Sequence, residues 1–520
     1  MPDVIPNVDT GFITTFVELS RTEPDRTFLT FDGVPYTFAR IAAEADAFAH
    51  WLRSRGAAPG DRVALMMRNS PSVVAMIFGL AKAGVLWVPI NPQQRGPGLS
   101  YLLAHSDPRV VIVDDELCGR LDESLLPADA QLVPASELND AVFSNAGHDD
   151  RPPFTEAPPS PDELLALMYT SGTTGPPKAV MVTHRMLRIA AEGTLRVSRA
   201  DDGAVFFVWE ALYHVGGAQL LVLPLLRDVR LAMVARFSAS TFWRQAAEAG
   251  ATHIHYLGGI LQMLLAQPAS DADRSHGVRV AWGGGCPTAV FEAVRRRFGL
   301  EIYECYGMTE TSSIASVADG SEGGVIGRAL PWFDISVRNE RDEIVAAGER
   351  GEITIGARLD GALFGGYYHD AEATRKALRG GLMRTGDLGS FDHRGVLRFH
   401  GRLTENLRCR GENVSAWEVE HVVTEHPLVE EAAVIGVEAE IGEQEIKLFV
   451  KPMEGVRLDP AALVAWLQPR LAKYQLPRYV EIVADFEHTP SQRIRKHLLN
   501  PSTHGVWDRQ QQRSNSASIV

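Results

Sequence analysis

Short β-rich runs alternate with apolar helical runs along most of this chain, and that alternation constrains the fold before any single residue is considered. Between residues 61 and 115, runs at 62–67, 85–90 and 110–113 enclose an apolar helical pattern at 71–82, capped by Ser70 and entered by Pro71 as a first-turn proline. Strand, helix, strand in succession predicts a parallel sheet covered by helices. The rhythm resumes over 164–402, with strands predicted at 205–208, 229–234, 253–256, 278–282 and 302–305 and helices at 240–249 and 288–298. Past residue 402 the elements become compact, with strands at 432–437 and 446–452 and a helix at 461–474. The Pro- and Asp-rich stretch 147–161 reads as a surface connection. At 520 residues the chain exceeds what one core serves, so the expected units are an N-terminal domain over 1–402, a C-terminal domain over 403–510 and a polar, disordered tail over 511–520.

A net charge of -14 argues against duplex nucleic acid as the main partner, so any nucleotide must bind at a local site. The four cysteines, Cys118, Cys286, Cys305 and Cys409, form no CxxC pair, which fits neither a zinc site nor a disulfide framework and implies a reducing, cytoplasmic setting. Residues 1–18 lack a basic segment followed by an apolar run, and apolar stretches elsewhere are broken well before the length of a membrane span. No membrane association is expected.

The sharpest local signal is the run 168–184, Met-Tyr-Thr-Ser-Gly-Thr-Thr-Gly-Pro-Pro-Lys-Ala-Val-Met-Val-Thr-His. Hydroxyls and unhindered backbone N–H groups from Thr170, Ser171, Gly172, Thr173, Thr174 and Gly175 suit phosphate oxygens, and Lys178 adds positive charge. It is not a Walker A loop, because Lys178 follows Pro177 and no Ser or Thr comes next. Downstream lie Gly283-Gly-Gly-Cys-Pro287, Tyr306-Gly-Met-Thr-Glu310, Arg384-Thr-Gly-Asp-Leu388 and Gly401-Arg402. Singly each reads equally well as a turn or a solvated polar face.

Together, in this order and spacing, these segments resemble the acyl-adenylate-forming superfamily of acyl-CoA ligases, peptide-synthetase adenylation domains and beetle luciferases, over about 28–499. The segments 251–259 and 280–287 are most similar to the carnitine/crotonobetaine-CoA ligase group. The resemblance implies an α/β fold, a large multi-layer α/β N-terminal domain with a small mobile α+β C-terminal domain. It also implies an acyl-CoA ligase using ATP or AMP, Mg²⁺ and CoA. By position, residues 170–175 and Lys178 would hold ATP phosphates, and Gly284, Gly285, Cys286, Tyr306 and Gly307 would flank the adenine. Thr309 would touch the α-phosphate, Glu310 would hold Mg²⁺, and Asp387 would accept from the ribose hydroxyls with Arg402 beside it. His214 would stand between nucleotide and acyl group, in a pocket lined by Gly216, Gly217, Gly258, Gly259 and Gly283. So many absent side chains point to a bulky, largely apolar acid, although backbone turns explain the glycines equally well. The small domain would swivel about Thr404, where relatives more often carry Asp or Lys, and bring Gly411 to the pantetheine arm.

One position departs from the family pattern where chemistry is concentrated. The C-terminal loop usually ends Pro-x-x-Gly-Lys, its lysine serving adenylation, whereas this chain has Gln492 and Arg493. A planar guanidinium cannot occupy the gap of a compact ammonium, and losing one well-aimed donor to developing charge costs about 10²–10³ in rate. Ala179 in place of glycine and Met383 in place of an aromatic residue bear on the same half-reaction. The expectation is an enzyme that adenylates poorly and makes acyl-CoA from an acyl-adenylate supplied by a partner ligase. Two alternatives stay open: a complete two-step synthetase in which Arg493 or Lys496 substitutes, and a non-catalytic adenylate-binding protein.

Overall fold

The computed structural model describes residues 5–94, 96–121, 126–143, 153–170, 177–257, 259–403, 406–409, 412–438, 444–471, 475–489 and 493–510. The expected tail over 511–520 lies outside these residues. The architecture is α/β, with a large N-terminal part built on three sheets and a smaller C-terminal part.

A six-stranded sheet runs Gln131–Pro134, Val110–Val113, Arg62–Met66, Leu86–Pro89, Leu164–Thr170 and Lys178–Thr183 in spatial order, parallel except at its last pair. Val110–Val113 is Val-Val-Ile-Val and buried throughout, as a parallel strand covered on both faces must be. The helix Pro71–Lys82 has the predicted bounds, with the Ser70 hydroxyl accepting from Val73 N at 3.3 Å.

A nine-stranded sheet has a parallel centre: Thr27–Phe31, Arg230–Met233, Val205–Val208, His253–Leu257, Val280–Gly284 and Glu301–Tyr306. Short antiparallel strands close both edges. Each predicted strand over 205–305 falls on one of these within a few residues. A third, antiparallel sheet carries Leu382–Phe391 beside Leu397–Arg402, pairing Asp387 with Arg402.

In the C-terminal part, Val429–Glu438, Gln444–Pro452, Tyr479–Ile482 and Trp507–Asp508 form a sheet covered by Ala416–Thr424 and Pro460–Leu467, with Val434, Leu448, Leu463 and Leu467 in its core. Lys447 is fully buried there and pairs with Glu481 at 2.6 Å while donating to the carbonyls of Asn500 and Ser502 at 2.9 and 2.5 Å. The helix expected over 461–474 ends at Leu467. Pro469 is the reason: it offers no N–H to continue the helical ladder.

Candidate active site

The parallel strands His253–Leu257, Val280–Gly284 and Glu301–Tyr306 end side by side, with Leu257 in register with Gly284. Open parallel sheets place ligands beyond the carboxyl ends of their strands, and the motif residues cluster there.

Tyr306 closes its strand with the phenol donating to Asp387 Oδ2 at 2.6 Å, and Arg402 Nε lies 2.7 Å from Asp387 Oδ1. Asp387 is 3% exposed, so this carboxylate is buried but held between a phenol and a guanidinium. Its aim is set by backbone: Gly386 turns at φ +68, donating its N–H to Glu352 Oε1 at 3.1 Å, and the Asp387 N–H reaches Thr385 Oγ1 at 3.1 Å. Arg384 of the same motif points elsewhere, pairing with Asp342 and Glu352.

Glu310 lies in the single turn Thr309–Thr311 and is 6% exposed. The Tyr367 hydroxyl donates to its Oε1 at 2.8 Å, and Lys178 Nζ stands 5.2 Å from the centroid of the Tyr367 ring. Burial pushes the Glu310 carboxyl up, opposed by the Tyr367 bond and by the positive fields of Arg402 and Lys178. Lys178, Tyr367, Glu310, Arg402, Asp387 and Tyr306 therefore share one electrostatic neighbourhood. Among the described residues Glu310 has no ion-pair partner, and a buried carboxylate in that condition is what a hard divalent cation relieves. The residues fit Mg²⁺ on that ground.

Thr170 and Lys178 face each other across antiparallel strands, with Thr170 Oγ1 donating to Lys178 O at 3.5 Å, so the ends of the phosphate-loop segment are held together. The loop residues Ser171, Gly172, Thr173, Thr174 and Gly175 lie outside the described residues, as do Gly258, Thr404 and Gly411.

On the other side of Tyr306, the loop after Val280–Gly284 is clamped by Glu304. Its Oε1 accepts the N–H groups of Gly285 and Cys286, both at 2.9 Å, and its second oxygen accepts the Tyr256 hydroxyl. Burial pushes Glu304 up to about 7 against those three bonds. Gly307 is needed for packing, since a Cβ there would sit 2.2 Å from Ser313 O.

The glycines expected to line an acyl pocket divide into two kinds. A Cβ at Gly217 would meet Ala211 O at 2.3 Å and one at Gly283 would meet Tyr256 O at 1.8 Å, so close backbone approach explains both. At Gly216 the nearest described atom is His255 Cε1 at 3.6 Å, and at Gly259 it is Gln262 Oε1 at 3.8 Å. At these two a Cβ would meet only ordinary van der Waals contacts among the described residues. His214 precedes the short helix Val215–Ala218, its Nε2 is buried without a partner, and burial pushes the ring down to about 4, so it is neutral near pH 7.

In the C-terminal part, Thr489 and Arg493 close a tight turn, with Thr489 N donating to Arg493 O at 2.7 Å and Arg493 N donating to Thr489 Oγ1 at 3.0 Å. Lys496 Nζ is 2.8 Å from Glu420 Oε1, the oxygen that also receives Val434 N at 2.5 Å. All three residues belong to the same small unit.

Tyr367 and Glu304 are site residues that sequence reasoning missed. For Tyr367 the available signal was an aromatic pair following Gly365-Gly366. For Glu304 only its place two residues before Tyr306 could have drawn notice.

The AMP-binding enzyme family model matches residues 16–368, and that for the AMP-binding enzyme C-terminal domain matches 418–493. A crotonobetaine/carnitine–CoA ligase of Citrobacter koseri is 30% identical, covering 89% of this chain and 93% of its own. A sulfoacetate–CoA ligase of Cupriavidus necator is 31% identical, covering 92% and 95%. Among solved structures, a benzoate CoA ligase from Burkholderia xenovorans LB400 superposes with a TM-score of 0.84 at 25% identity, covering 94% of this chain and 99% of that one. The o-succinylbenzoate CoA synthetase from Bacillus subtilis, in complex with its acyl-adenylate intermediate, shares the fold with a TM-score of 0.83 at 23% identity, covering 94% and 97%.

Proposed function

The chain belongs to the AMP-binding enzyme family and is an acyl-CoA ligase working with ATP or AMP, Mg²⁺ and CoA, and from that premise we propose that it performs chiefly the second half-reaction. An acyl-adenylate made by a partner ligase enters the site. The CoA sulfur attacks the acyl carbon, a C–S bond forms, the C–O bond to the phosphate breaks, and AMP leaves while the thiol proton passes to solvent. Asp387 accepts from the ribose hydroxyls and is oriented by Arg402 and Tyr306. Lys178 and Thr309, with Thr170 and residues 171–175, hold phosphate oxygens, and Gly284, Gly285, Cys286 and Gly307 flank the adenine with Tyr306. Glu310 would hold Mg²⁺, which would supply positive charge against the phosphate oxygens. His214, kept neutral by burial, separates acyl group from nucleotide without adding charge. The small unit swivels about Thr404 to present Gly411 to the thiol arm, and a cytoplasmic location follows from the CoA pool it draws on. Among the described residues no helix is long and apolar enough to cross a membrane.

The observation carrying the reading is the C-terminal turn. Arg493 stands where lysine serves adenylation in the family, and Lys496, three residues on, is paired with Glu420 inside its own unit. A lysine tied there moves with the unit rather than reaching across to the carboxylate. Incubation with a synthetic acyl-adenylate and CoA should yield thioester, while the same acid with ATP, Mg²⁺ and CoA should yield none above background. Thioester from the free acid at a comparable rate would overturn the proposal.

A further inference from the structure

Beside Gly216 lies a buried polar pair that the half-reaction does not use. Glu210 and His255 are 4% and 5% exposed, with Glu210 Oε1 2.7 Å from His255 Nδ1. The loop carrying Glu210 is pinned on both sides. Asn69 Nδ2 donates to Glu210 O at 2.6 Å, and Leu212 N donates to Asn69 Oδ1 at 3.0 Å. Trp209 N donates to Glu210 Oε2 at 3.1 Å, and its indole N–H donates to His255 O at 3.0 Å. The Trp282 ring packs on His255 with centroids 4.2 Å apart. The pair is thus rigid and set among aromatic surfaces.

Glu210 Oε1 and His255 Nδ1 face each other without the alignment of a hydrogen bond, so both buried atoms keep bonding capacity, and the ring's other nitrogen is Nε2. Among the described residues nothing bonds that Nε2. A Cβ at Gly216 would reach ordinary van der Waals contact with the Cε1 edge of the same ring, at 3.6 Å, so the glycine lies directly before it. Two further buried atoms near it lack partners: His214 Nε2, and Gln219 Oε1, whose amide nitrogen donates to Gly216 O at 3.2 Å. Unpartnered polar atoms held in a rigid apolar setting favour a ligand that bonds them.

Resting on the proposed reaction, we infer that the Glu210–His255 pair determines specificity by receiving a hydroxyl group on the acyl skeleton of the acid, beyond its carboxyl carbon. A hydroxyl serves whether His255 is neutral and accepts, or protonated and donates. The acid is thereby apolar in bulk but not throughout.

The test uses matched pairs of acyl-sulfamoyl adenosines, hydroxybenzoyl against benzoyl and hydroxylated against plain medium-chain acyl, for binding, and the matching acyl-adenylates for thioester formation. For at least one pair the hydroxylated member should bind about 10- to 100-fold more tightly. Glu210→Met with His255→Phe, which removes charge and polarity together, should bring that ratio near one. Gly216→Ala, which leaves the pair intact and fills the space before it, should weaken the hydroxylated member more than the plain one. Equal binding of both members in every pair, or a ratio unmoved by both variants, would overturn the inference while leaving the reaction standing. A clear ratio without thioester from the matching adenylates would support the pocket and sink the reaction.

Discussion

Around Asp387 and Glu310 each ionisable side chain is answered by another: Tyr306 and Arg402 engage the first, Tyr367 the second, and Lys178 lies over Tyr367. At the C-terminal end Thr489 and Arg493 bond each other, and the next lysine pairs with Glu420 of the same unit. On the proposed reading both regions must meet for an acid to be adenylated, but only the first need be complete for an adenylate to be bound. The contrast then makes binding and activation separable, kept on different parts of the chain. Substitutions on either side can break it or sharpen it.

The largest effect should come from restoring the altered turn. Arg493→Lys combined with Gln492→Gly should raise pyrophosphate exchange by about 10²–10³, the worth of one aimed donor to transition-state charge, with thioester formation from supplied adenylate little changed. No gain would mean that the turn is not what limits adenylation. Next, Asp387→Ala should weaken AMP binding by roughly 10²-fold, because it removes a buried acceptor and leaves Arg402 unanswered; isothermal titration with AMP reads this directly.

A smaller effect is expected from Glu304. Its folded carboxyl lies at about 7, above its ordinary 4.5, so between those values the folded chain holds a proton that the unfolded chain has released. Stability from this group is present below pH 4.5 and is lost as pH rises through 7, on the order of 1–3 kcal/mol. Glu304→Gln keeps an acceptor for Gly285 and Cys286 and does not titrate, so its melting temperature should fall less between pH 5 and 7. Parallel melting profiles would show that Glu304 is not the group responsible. Smallest of all, Lys496→Met should cost about 1 kcal/mol through its partly exposed pair with Glu420, measured by denaturation. Pyrophosphate exchange should not fall further, and a fall would show that Lys496 does reach the reaction.

The parallel strands were legible because their apolar runs and flanking turns are local, and Val110–Val113, Val205–Val208, Pro71–Lys82 and Thr288–Phe298 come out with the predicted bounds. Tyr306, Asp387 and Arg402, which the sequence linked only through resemblance, lie together in the structure. What could not be read were pairings fixed only by tertiary structure. Tyr367 meets Glu310 across 57 residues, and Tyr256 meets Glu304 across 48. The Glu210–His255 pair likewise joins the loop after Val205–Val208 to the middle of the strand His253–Leu257. The glycines divide for a related reason: Gly217 and Gly283 are required by neighbouring carbonyls, whereas Gly216 and Gly259 would tolerate a Cβ, and sequence does not tell these apart.

The most direct test is ATP–pyrophosphate exchange in the unaltered chain, using the acid whose synthetic adenylate it converts best to thioester. A split between binding and activation predicts exchange at least about 100-fold slower than thioester formation from that adenylate. Exchange that keeps pace would contradict it, and would make Arg493 a competent replacement for the lysine.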